Sequence, residues 1–150
     1  MAIFQIKNKA RPLFPVLTAM LTAALFIMAQ PAWAMDEDMS HLSPLTQADI
    51  DAYVEVLPRL TPEVTRDAPR ANKLLIDAKI SKKRLVYVGA KVAIAQAMAI
   101  GAMNAQQLTD NNVPLYLHPS PEEIALVTTN LHSLSLAQET ARRAAAGIGQ

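Results

Sequence analysis

Leu85–Met103 reads LVYVGAKVAIAQAMAIGAM, a run of small and apolar residues interrupted only by Lys91 and Gln96. Its length, its alanine content and the absence of a turn signal predict a helix. A helix apolar on nearly every face belongs in the centre of a domain, with the other helices packed around it. Gly89, Ala93, Ala97 and Gly101 recur every four residues and form a ridge of minimal side chains. Such a ridge lets a second helix approach closely, either within the chain or across a homodimer. Leu85, Val88, Val92 and Met98 supply bulk on the other faces. The run also approaches the length of a bilayer span. Lys91 argues against that, because a lysine near the bilayer centre costs about 2.5–3.5 kcal/mol. The expectation is a buried helix over about 82–103 in a small all-α domain of four to five helices.

Outward toward the N-terminus, residues 1–34 have the layout of an export signal. Lys7, Lys9 and Arg11 form a positive start, Leu13–Ala29 an apolar core, and Ala32-Trp33-Ala34 a small-x-small cleavage pattern after Pro31. Cleavage is expected between Ala34 and Met35, giving a periplasmic or secreted protein. The signal carries away three of the fourteen basic residues and none of the thirteen acidic ones, so residues 35–150 have a formal charge of −2 against +1 for the whole chain. That balance gives no footing for nucleic-acid binding. The chain has no cysteine, so it has no disulfide, lipid anchor or thiolate site, and stability must come from packing.

Residues 35–44 form an acidic leader in which Met35, Met39 and His41 stand beside three acids. Thioether and imidazole suit copper, which makes this the candidate metal site, although a solvated leader needs no such role. The helical domain proper is expected over 45–136. Thr46 caps a first helix, with Asp49 at the capping-box position, Leu45 stapled to Ile50, and Ile50, Tyr53, Val54 and Leu57 as its apolar face. Thr61-Pro62-Glu63 opens a second, in which Pro69 predicts a kink or a division in two. Ser120-Pro121-Glu122-Glu123 opens the last, with Ile124, Val127, Leu131 and Leu134 as one stripe. Residues 137–150 have Ile148 as their one bulky apolar side chain and are expected to extend that helix briefly and then fray.

Two further groups are candidate sites. Lys79, Lys82, Lys83 and Arg84 cluster at the start of the central helix, where cations oppose the helix dipole. They are candidates for an anionic partner or lipid head group, against a solvated turn capped by Ser81. The connection Asn104–Pro119 is long for a link between helices. Its extended piece Val113–Leu117, together with the central helix, proposes an apolar pocket lined by Tyr87, Met98, Met103, Leu115, Tyr116 and Leu117, with His118 beside it. Phosphate loops, zinc-protease motifs, EF-hand loops and nucleophile elbows are absent from the sequence. No cofactor is implied. The expectation is therefore a non-enzymatic binding module of the cell envelope. Carriage of a small apolar ligand is the alternative, and metal handling a third.

Overall fold

The computed structural model describes residues 42–147. The expected signal, its cleavage site Ala34/Met35 and the metal candidates Met35, Met39 and His41 lie outside the described residues. The described chain is all-α, with no strand. Seven α-helices occur in it: α1 (Gln47–Val56), α2 (Pro62–Arg66), α3 (Ala68–Asp77), α4 (Lys82–Ala99), α5 (Ala105–Asp110), α6 (Pro121–Thr129) and α7 (Leu131–Ala145). Two 3-10 turns, Leu57–Arg59 and Leu115–Leu117, complete it. No helix among the described residues is long and apolar enough to cross a membrane.

The helices are shorter and more numerous than the four or five read from the sequence; the division of the second near Pro69 is one of the two outcomes expected there, and each boundary has a local cause. Asp67 caps α3 by accepting from the Arg70 N–H at 3.1 Å, which separates α2 from α3 just ahead of Pro69. Asn130 separates α6 from α7. Its side-chain N–H donates to the Leu126 carbonyl at 2.9 Å and its amide exchanges hydrogen bonds with Gln47 of α1, so the stripe continues into the core across a break. Val127 and Leu134, on either side of that break, are both fully buried. α7 then runs on to Ala145 through the expected tail, where Glu139 pairs with Arg142 and Arg143 one turn later.

α4 is central, as its composition requires. It packs most extensively on α6 and also meets α1 and the 115–117 turn, while α7 packs on α1 and on the 57–59 turn. The ridge is only partly a packing surface. A Cβ built on Gly89 would lie 3.3 Å from Tyr53 Cε2, so this glycine admits the α1 ring. Gly101 lies beyond the helix, at φ +72°. There its N–H donates to Met98 at 3.0 Å and that of Ala102 to Ala97 at 2.8 Å, closing the end of α4. Tyr53 is buried, and burial pushes the phenol above its ordinary value, an effect that the neighbouring Gln138 side chain partly offsets.

Candidate functional site

The most buried residues of α4 are Tyr87, Val88, Lys91, Val92, Ala95 and Gln96. The two polar residues that interrupt the apolar run therefore lie on its innermost face. Each is met by a polar group from another helix, as burial demands. Lys91, 5 % exposed, donates to both oxygens of Glu123, 4 % exposed, at 2.7 and 2.8 Å. Gln96 exchanges amide hydrogen bonds with Gln138 of α7, the shorter at 2.8 Å.

Glu123 is placed by local chemistry. Ser120 caps α6 and the Glu123 carboxylate reaches back to the Ser120 N–H at 2.8 Å, the reciprocal bond of a capping box. The same carboxylate accepts from Lys91 and from the Leu45 N–H at 2.8 Å. One helix-start residue thus joins three parts of the chain. Asp49 repeats the device at α1. It accepts from Thr46 in its own capping box and receives Nε and Nη2 of Arg84 at 2.8 and 2.6 Å. Between the two ion pairs lies Tyr87, with Arg84 Cζ 5.0 Å and Lys91 Nζ 5.4 Å from its ring centroid. Burial pushes the Glu123 carboxyl up, but the hydrogen bonds from Lys91, Leu45 and Ser120 bring it below the usual carboxylate value. Asp49 is likewise raised by burial and lowered further by Arg84 and Thr46.

This geometry redistributes the sequence candidates. Arg84 turns away from the cationic patch, since it also donates to the Ser43 and Pro44 carbonyls at 2.6 and 2.8 Å. Lys79 is exposed in the left-handed region at φ 55°, in the link between α3 and α4, with Lys82 exposed and Lys83 half-buried at the start of α4. The pocket candidates differ widely in burial. Tyr87 belongs to the buried polar cluster, Met98 and Met103 are half-buried near the end of α4, and Leu115 is 83 % exposed. The cause is that Leu115–Leu117 is a 3-10 turn rather than the extended piece expected. The Leu117 N–H donates to Pro114 at 2.9 Å, so Leu115 points outward while Tyr116 and Leu117 pack on the core. His118 is bonded through Nε2 to the Val113 carbonyl at 2.9 Å. The loop also contains α5, whose capping box, Asn104 with Gln107, is a signal the sequence carried and the reading passed over.

A surface the sequence reading missed lies elsewhere. Val54, Pro58, His132, Ser133, Leu136, Ala137 and Thr140 line a shallow, mainly apolar groove of about 320 Å³ between α1, the 57–59 turn and α7. Leu136 on its rim is 61 % exposed. Its signal was Leu136 itself, two residues off the buried stripe. No group of three or more His, Asp or Glu residues placed to hold a metal occurs among the described residues. Comparison with known proteins gives no match to any protein family, curated protein or solved structure.

Proposed function

We propose that the chain is an exported helical protein without catalytic chemistry of its own, which binds another protein of the cell envelope through the groove between α1 and α7. The observation that carries this reading is the contrast between its two candidate surfaces. The charged cluster around Tyr87 is committed to internal bonds, and no buried side-chain nitrogen or oxygen is left without a partner among the described residues. The groove is open, apolar and rimmed by an exposed leucine, which is how partner-binding surfaces are built. Export rests on the signal-like residues 1–34.

Native mass spectrometry of the chain recovered without detergent, beside its denatured mass, tests both halves. A denatured mass beginning at Met35 and a photo-crosslink from Leu136 to another envelope protein are the expected results. An uncleaved mass would sink the export reading. A native excess of a few hundred daltons, with no crosslink, would replace the protein partner by a small apolar ligand.

A further inference from the structure

Residues 42–46 enter α1 without regular structure of their own, yet Leu42 packs on the core and Leu45 is buried in it. Side chains hold their backbone. Arg84 donates to the Ser43 and Pro44 carbonyls at 2.6 and 2.8 Å, and the Leu45 N–H donates to Glu123 Oε1 at 2.8 Å. The Thr46 N–H donates to Asp49 Oδ2 at 2.8 Å. Each anchor rests on a carboxylate, directly at Glu123 and through Arg84 at Asp49.

Glu123 uses its acceptor capacity fully, and Asp49 gathers most of its donors on one oxygen. Glu123 Oε1 takes Lys91 and Leu45, and Oε2 takes Lys91 and Ser120. Asp49 Oδ1 takes Arg84 Nε, and Oδ2 takes Arg84 Nη2 with the N–H and the hydroxyl of Thr46. An added proton on Glu123 would face donors, with no acceptor to receive it, so at least one of its bonds must break, and a proton on Asp49 removes the charge that holds Arg84.

We propose that residues 42–45 are an acid-released strap. Protonation of Glu123 and Asp49 frees them from α4 and α6 and vacates the seat of Leu45, while the helices stay folded.

The charged surroundings set the direction. Glu123 faces Lys91 and Arg84 from α4, with the Tyr87 ring between these cations and Glu122 next to it on α6. Asp49 on α1 faces Arg84. The cations and the backbone N–H donors together outweigh burial, so both acids stay ionised at neutral pH and the strap is docked there. Release falls below about pH 4, beneath the ordinary carboxylate range.

The chain has no cysteine, so Ser43→Cys creates a single labelling site at a residue whose carbonyl is what Arg84 holds. A nitroxide there, followed by EPR from pH 7 to pH 2 beside far-UV circular dichroism, reads the strap and the helices separately. The expected result is a shift from an immobile to a mobile spectrum below about pH 4 with helicity retained. A label that stays immobile throughout, or becomes mobile only as helicity is lost, overturns the proposal. The same label in Asp49→Asn/Glu123→Gln/Lys91→Met should show no transition over this range, and a surviving transition would also overturn it. Should that variant fail to fold, Asp49→Asn alone decides, because it must remove one proton from the transition. An unchanged pH profile in it would count against the proposal.

Discussion

Lys91 stands on the innermost face of the most apolar helix, and its neighbours explain why a lysine is tolerated there. Removing it alone leaves Glu123 ionised, buried and short of its counter-charge. Lys91→Ala is therefore expected to cost on the order of 3–5 kcal/mol in urea unfolding, and Lys91→Met/Glu123→Gln much less. Equal losses in the two proteins would show that the pair is not the unit that matters. The same carboxylates set the acid limit of stability. Because Asp49 and Glu123 ionise more readily folded than unfolded, the folded chain binds fewer protons. Their contribution is complete above the unfolded values near 4 and is lost as pH falls through the lower folded values. Urea midpoints should hold from pH 7 to pH 5 and fall by pH 3. A midpoint flat across that range would contradict the assignment. Lys79 offers a gain instead. It closes α3 at φ 55°, with the Ile80 N–H donating to the Leu75 carbonyl at 3.1 Å, in a position that suits glycine. A left-handed conformation costs a non-glycine residue about 1–2 kcal/mol, so Lys79→Gly should raise the melting temperature. A fall would mean that the lysine side chain contributes more than its backbone conformation costs.

At the scale of elements, α4 illustrates how far a composition argument reaches. Its helical state, its Ser81 cap and its central position follow from the string of small and apolar residues. Which face is innermost does not, because on a helix with so little amphipathic contrast Lys91 and Gln96 would be assigned outward. Their partners, Glu123 and Gln138, are 32 and 42 residues away. The contact of α1 with α4 turns on Gly89. Gly89→Ala gains roughly 1 kcal/mol of helix propensity and loses part of it as the Tyr53 ring, 3.3 Å from the new Cβ, gives way. Gly89→Leu has no room and should cost about 1–3 kcal/mol of thermal stability. Unchanged melting of the leucine variant would place the α1–α4 contact elsewhere.

Across the whole molecule, the proposed binding groove and the buried core are different surfaces, so binding and stability can be tested separately. Leu136 is largely exposed and adds little to the core, so Leu136→Glu should leave unfolding within about 0.5 kcal/mol. It should abolish crosslinking from an adjacent groove position such as Ser133. A variant that unfolds early would make Leu136 structural, and one that still crosslinks would move the binding surface elsewhere.

The sequence by itself determined the all-α class, the starts of α1, α2, α4 and α6, and the centrality of α4. These depend on residues within one turn of each other, or on composition summed over a long window, and both are written in consecutive letters. It also carried the signals for the breaks at Asp67 and Asn130 and for α5, in side chains whose capping role competes with several others until the neighbouring turn is known. Tertiary structure alone decided that Asp49 and Glu123, legible as capping-box acids, also neutralise Arg84 and Lys91. It alone brought Val54, Pro58 and Leu136 together as one groove. The reason is distance: burial of a charge is allowed or forbidden by a partner many residues away, and no local pattern encodes which helix will supply it.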